Sequence, residues 1–371
     1  MRAVVITSGG SFRLEDRPDP AAGPGEVVVR VRAAGLNAAD LQQARGDYPA
    51  PPGWAADVPG LEVAGEVERV GSAVSGFSTG DRVMALVGGG GHAERITVPA
   101  DLLLAVPDGL SWQEAGGFPE AFSTAWDALI TQAQVHAGDR VLITGAAGGV
   151  GTAMVQVAAI SGAHTVASVR RPELHDEVTA LAPDGTHVDV VTPADEARHG
   201  PYDVIVELVG GQDCLDRVSL LRSGGTVLVV GVQAGATVPL RMFDLMLVRG
   251  HLIGTTIRGR PPAEKALLAD QVRTAVLPSS PTAACGSPWT RPSPSSSTPG
   301  DMPGSQARGS SARSSSPADD IALPRETRCT ARNARPGPDH RGVPDRDLGR
   351  RSALLVGCVL FGGEEVGDAG R

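Results

Sequence analysis

Aromatic side chains are scarce. Only 3% of the 371 residues are Phe, Trp or Tyr, and 41% are hydrophobic, so the chain sits at the apolar-poor end of globular proteins. Lysine is scarcer still: Lys265 is the single one, and every other basic side chain is Arg. The four cysteines, Cys214, Cys285, Cys329 and Cys358, lie far apart. No Cys-x-x-Cys or Cys/His ligand spacing occurs, which argues against a structural zinc and against a disulfide framework. Positive charge is not in excess; a formal net charge of -9 argues against a nucleic-acid or anionic-membrane partner. Long apolar runs are missing too. "ALLVGCVLF" (353–361) has about half the length needed to span a bilayer, and "MRAVVITSGGSFRLED" begins as an alternating strand rather than a signal-peptide core. The expectation is a soluble, cytoplasmic protein. Its length allows two ordinary domains.

What the chain does have is organisation. As far as residue 110, short runs with period-two alternation ("AVVIT", "EVVVRVRAAGL", "EVAGEVERVG", "DRVMALV", "ERITVP") are separated by Gly and Pro, which predicts a small β barrel or sandwich. From about residue 111 the pattern changes. "SWQEAGGFPEAFSTAWDALITQAQV" reads as helix interrupted near Pro119. Six apolar strands then alternate with helices or connectors: "RVLITG", "HTVASV", "HVDVV", "YDVIVELVG", "GTVLVVGV" and "HLIGTT". This alternation predicts a doubly wound parallel sheet. Val150, Met154, Val157 and Ala158 give its first helix one apolar face, and "PPAEKALLADQVRTAVLP" (261–278) reads as an amphipathic helix.

"VLITGAAGGVGTAMVQVA" (141–158) joins the first of these strands to its helix through Gly145, Ala146, Gly148, Gly149, Val150 and Gly151. Positions without a Cβ let a pyrophosphate approach the backbone, and the helix N-terminus supplies free N–H groups and a favourable dipole. Gly148 and Gly151 fit the second and third glycines of G-x-G-x-x-G, with Ala146 in place of the first; a glycine-rich packing turn is the plain alternative. After the second strand, where an NAD site places a carboxylate, stand Arg170 and Arg171. Guanidinium groups suit a ribose 2′-phosphate, so the cofactor expected is NADPH. A solvated arginine pair is the competing reading. Val209 and Gly231, after the fourth and fifth strands, complete the expected cofactor contacts.

Together, "AAGLNAADLQQARGDYP", "PGLEVAGEVERVG", "GDRVMAL", "GGGGHAERITVP", "PEAFSTAWDAL", "AGDRVLITGAAGGVGTAMVQVA" and "IGTTIRGRPPAEKALLADQV" resemble, in order, the medium-chain dehydrogenase/reductase superfamily. The resemblance is to its zinc-free quinone oxidoreductase branch, the ζ-crystallin-like proteins, and covers about residues 1–278. It implies a GroES-like barrel (1–120), a Rossmann domain (121–254), a segment returning to the barrel (255–278) and a cofactor in the cleft between them. It also implies hydride transfer from NADPH to a quinone or activated enone. Zinc-dependent relatives carry Cys where this chain has Leu36-Asn37, and His where it has Leu61, so no metal is expected. By the same resemblance Asn37 would reach the nicotinamide or the acceptor oxygen, Thr124 would contact the nicotinamide, and Tyr48 would line the acceptor pocket. A turn residue, a helix-interior hydroxyl and barrel packing are their plain alternatives. His92 reads as a surface-loop histidine and Cys214 as a buried small side chain. Relatives commonly dimerise through the strand matching "GHLIGTT".

After residue 278 the resemblance stops. Ser, Pro, Arg, Gly and Asp dominate 279–371 and no period persists, the composition of a disordered segment. The bias is also what a shifted frame in a G+C-rich gene would produce, so an aberrant tail is expected, and resequencing across the junction tests it. The alternatives to a quinone or enone reductase are an NADPH-binding module or sensor without turnover, an enoyl-thioester reductase, and an inactive product of a frameshifted gene.

Overall fold

The computed structural model describes residues 1–212 and 214–277, together with the backbone of Cys358–Leu360. Two six-stranded sheets organise it. The first is antiparallel and is preceded by a hairpin of β1 (Arg2–Ile6) and β2 (Phe12–Asp16). Five of its strands are β3 (Glu26–Gly35), β4 (Glu62–Val70), β5 (Arg82–Leu86), β6 (Arg95–Pro99) and β7 (Leu103–Ala105). β3 pairs with β4 and β6, β4 with β5, and β5 with β7. Two irregularities in the β3–β4 register, at Val28/Val29 and Val31/Ala33, bend the long strand as barrel curvature requires. Its core is aliphatic: Val27, Val29, Val31, Val63, Val67, Val83 and Val98 are buried together.

The second sheet is wholly parallel. It comprises β8 (Arg140–Ile143), β9 (His164–Ser168), β10 (His187–Val191), β11 (Tyr202–Glu207), β12 (Leu221–Val229) and β13 (His251–Gly254), in the spatial order β10-β9-β8-β11-β12-β13. All six strands expected from the sequence are present. The order reverses between β8 and β11, which opens a crevice at the carboxyl ends of those strands. Helix α4 (Gly149–Ile160), entered from β8, is buried continuously from Gly151 to Ala159. The sequence suggested one apolar face. The helix is enclosed because it lies between the sheet and α3 (Pro119–Trp126), and its Ala-rich surface permits that close approach on several sides.

α3 follows the short α2 (Trp112–Gly116), and Pro119 at its first turn is compatible with a helix start. Around it a single apolar cluster runs from Ala64, Met84 and Leu104 on the barrel through Phe118 and Phe122 to Val141, Ile143 and Val157 under the parallel sheet. Phe118 and Phe122 stack with ring centroids 4.3 Å apart, so two of the few aromatics stand at the junction. Beyond β13 the chain returns to the barrel through α7 (Pro262–Gln271), whose Leu268 and Ala269 are buried in this same cluster.

Cys358–Leu360, three residues of the apolar run near the terminus, pair antiparallel with Gly35, Ala34 and Ala33 of β3 as β14. The expectation for the remainder of 279–371 lies outside the described residues.

Candidate functional site

A cleft of about 1120 Å³ lies between the barrel and the parallel sheet, and every site residue expected from the sequence except Ala146 lines it. Ala146 is fully buried beneath the loop. Gly145 has φ +61°, and a Cβ there would stand 3.0 Å from Val209. At Gly151 a Cβ would overlap the Gly145 carbonyl oxygen and lie 2.8 Å from Ala146 Cα. Gly231 is equally confined, by the Leu208 backbone. Gly148 caps α4 in an extended conformation, and the N–H groups of the first turn, Gly149, Val150 and Gly151, precede any intrahelical acceptor. The loop is therefore a collar of bare backbone around a twelve-residue helix's positive end.

Arg170 and Arg171 follow β9 on the same cleft. Arg170 is exposed, whereas Arg171 is partly buried and its Nη2 has no hydrogen-bond partner. A buried guanidinium nitrogen left unpaired is unfavourable unless something else satisfies it. An anionic oxygen would do so. Sequence reasoning missed Arg217 on this wall. It is held by Glu196 at 2.7 Å and Glu207 at 3.1 Å, both buried, and Ser168 at the end of β9 donates to Glu196 at 2.6 Å. No local spacing signals such a network; its four members come from four separate segments.

The opposite wall carries Asn37, Tyr48 and Thr124. Asn37 precedes α1 (Ala38–Arg45); its backbone N–H donates to Asp40 Oδ2 at 2.8 Å and its Nδ2 to Glu62 Oε1 at 3.0 Å. The Tyr48 hydroxyl lies 2.6 Å from Thr256 Oγ1, and the Arg258 guanidinium sits 5.0 Å from its ring centroid. Thr124 Oγ1 donates to Glu120 Oε1 at 3.3 Å. Arg258 is itself fixed by the carbonyls of Gly88 and Tyr48 and by Gln43, and the buried Lys265 donates to its carbonyl oxygen.

Behind Asn37 lies a carboxylate that the sequence analysis did not single out. Glu62 is 1% exposed and accepts from Asn37 and from the Glu120 backbone N–H at 2.9 Å. Burial, with Glu120 nearby, pushes its carboxyl up to about 8, against the two hydrogen bonds it accepts. Burial likewise raises Glu120 to about 7, the Thr124 hydroxyl opposing and Asp40 adding to the shift. Gly35 makes room for Glu62, since a Cβ there would overlap its carboxyl. The available signal was a charged residue heading the apolar run "EVAGEV". His92 corrects an expectation: it is 3% exposed, its Nε2 lies 3.0 Å from the Gly35 carbonyl oxygen, and its loop is folded against Gly60 rather than into solvent. Cys214 is buried, as expected.

Residues 23–108 match the family described as alcohol dehydrogenase GroES-like domain, and residues 149–272 match zinc-binding dehydrogenase. The mouse synaptic vesicle membrane protein VAT-1 homolog-like is 33% identical over 238 residues, 62% of this chain and 56% of that protein. Quinone oxidoreductase-like protein 2 homolog from Nematostella vectensis is 34% identical over 233 residues, 61% of this chain and 63% of that protein. The chain thus matches about three fifths of the length of these curated relatives. Among solved structures, the quinone oxidoreductase from Thermus thermophilus, solved also in complex with NADPH, superposes with a TM-score of 0.61 at 36% identity. That match covers 73% of this chain and 85% of the other.

The metal in one family's description does not fit these residues. Asn37 and Leu61 supply neither thiolate nor imidazole, Glu62 is occupied by two N–H donors, and among the described residues no group of three His, Cys, Asp or Glu side chains could hold an ion. The two matched segments and the identity to the Thermus enzyme over most of its length carry one conclusion: this chain belongs to the medium-chain dehydrogenase/reductase superfamily, in its quinone oxidoreductase-like family.

Proposed function

We propose that the protein is an NADPH-dependent reductase of quinones or activated enones that works without zinc. The observation that carries the reading is the bare loop at the start of α4 with the unpaired Arg171 Nη2 on the same cleft. Gly145, Gly148, Gly149, Val150 and Gly151 would take the diphosphate on backbone N–H groups, flanked by Val209 and Gly231. Arg170 and Arg171 would grip the 2′-phosphate, and the absence of an acidic side chain beyond Ser168 at this strand end removes the repulsion an NAD-selective site uses. When bound, the nicotinamide supplies a hydride. The chain's own part is positional. Asn37 is fixed by Glu62, Thr124 by Glu120, and Tyr48 by Thr256, so each presents its polar atom to the cleft from a constrained direction. The apolar Leu61 and Leu86 on the same wall suit a flat carbonyl acceptor and exclude water beside it.

The test combines binding and turnover. Calorimetric titration should detect NADPH with higher affinity than NADH, and the chain should oxidise NADPH steadily with 1,4-benzoquinone or 9,10-phenanthrenequinone. Stronger protection by NADH would overturn the role of the two arginines. Binding without oxidation would make the protein a cofactor-binding module instead.

A further inference from the structure

Among the described residues, no cation comes within ion-pair distance of Glu120 in the cleft. The glutamate is partly buried on α3, and the titratable groups facing it from the elements packed around it are themselves acidic: Glu62 from β4 and Asp40 from α1. His92 lies beyond Asp40, 3.8 Å from its Oδ2. Among the described residues neither Glu62 nor Glu120 forms an ion pair. The three carboxyls are not equivalent, however. Both Asp40 oxygens accept backbone N–H groups, from Asn37 and Gly60, and both Glu62 oxygens accept, from Asn37 and Glu120. Among the described residues, the Glu120 carboxyl accepts only from Thr124, and it borders the open cleft. A poorly solvated carboxyl with one donor and the Asp40 carboxyl nearby favours its protonated form. That leaves an acidic O–H beside the residues that would surround the acceptor.

We infer that Glu120 is the proton donor of the reaction, with Thr124 orienting its carboxyl; the inference rests on the reductase reading above. With the reduced nicotinamide supplying hydride and its electron pair to one carbonyl oxygen of the quinone, that oxygen would gain an O–H bond, both C=O π bonds would give way to the aromatic ring, and negative charge would gather on the second oxygen. The Glu120 O–H bond breaks as a new O–H bond forms on that second oxygen, giving the hydroquinone. Water at the cleft mouth then returns a proton to the carboxylate. Its raised pKa, about 7, matches this cycle near neutral pH, where the group both holds and releases a proton.

Difference infrared spectroscopy on the full chain, between about pH 5 and about pH 9, should show a protonated-carboxyl band that disappears with a midpoint near 7, besides a second, from Glu62, that disappears near 8. Glu120→Gln should remove the band with the midpoint near 7, whereas Glu62→Gln should remove only the other. In turnover with 9,10-phenanthrenequinone, wild-type kcat should fall as pH rises through the same midpoint. Glu120→Gln should lower kcat about 100-fold or more and abolish that fall, with NADPH affinity unchanged. Glu120→Asp, which keeps the acid on a shorter stem, should restore part of the rate. A wild-type chain lacking the band with the midpoint near 7, or a Glu120→Gln variant keeping either that band or the pH-dependent fall, overturns the inference alone. A wild-type chain that neither binds NADPH nor reduces the quinone overturns the functional reading and the inference with it.

Discussion

At Gly151 one methyl group decides whether the loop exists. A Cβ there would overlap the carbonyl oxygen of Gly145 and crowd Ala146 Cα, and both of these are backbone atoms that cannot swing aside. Gly151→Ala should therefore destabilise the chain by about 1–3 kcal/mol, the usual range for overpacking, and abolish the thermal shift produced by NADPH. At the other end of the cofactor, replacing Arg170 and Arg171 by Ala should weaken NADPH about tenfold or more, as expected for lost charged hydrogen bonds, while leaving NADH nearly unchanged in a paired titration. Glu62 gives a prediction with a sign. Its carboxyl is pushed up to about 8 in the folded chain from the ordinary glutamate value of 4.5 expected when unfolded, so the folded state holds the extra proton between those limits. Stability from this group is complete below the lower value and is lost as pH rises through the upper one. Glu62→Gln should flatten that decline, and chemical denaturation of both chains at a series of pH values measures it.

At the scale of elements, the turn after α3 is tied to the segment after β13. Asp127 is 1% exposed and receives Arg260 through both guanidinium nitrogens, at 2.6 and 2.7 Å, as well as the Thr255 hydroxyl. Asp127→Ala leaves Arg260 without its partner and should lower stability by about 3–5 kcal/mol in equilibrium unfolding. The elements themselves were largely legible. Six apolar runs at regular spacing announced the parallel sheet, and glycine between strand and helix announced its switch point. Three things were not legible, for one physical reason. The enclosure of α4, the burial of His92 and the Glu62–Glu120 pairing all depend on which segments meet across the fold, and periodicity within a segment carries no such information. The α6 helix (Met242–Val248) escaped notice because its seven residues, "MFDLMLV", have no polar face to reveal a helical period.

For the whole molecule, the parallel sheet ends on β13, which pairs with β12 on one side only among the described residues. Beside it α6 exposes Phe243 and Met246 at 64% and 66%, together with Met242 and Leu247. Apolar side chains this bare, next to an open strand edge, fit a second copy continuing the sheet. Sedimentation should find a dimer, and Phe243→Glu should shift it to monomer without altering cofactor affinity. No described helix is long and apolar enough to cross a membrane.

The enclosure of Lys265 has a practical reach. Its amine donates to the Arg258 carbonyl oxygen at 2.6 Å with the residue 7% exposed, so the folded chain shields its single lysine side chain from acylating reagents. An acyl group found on Lys265 would therefore report that the fold had opened.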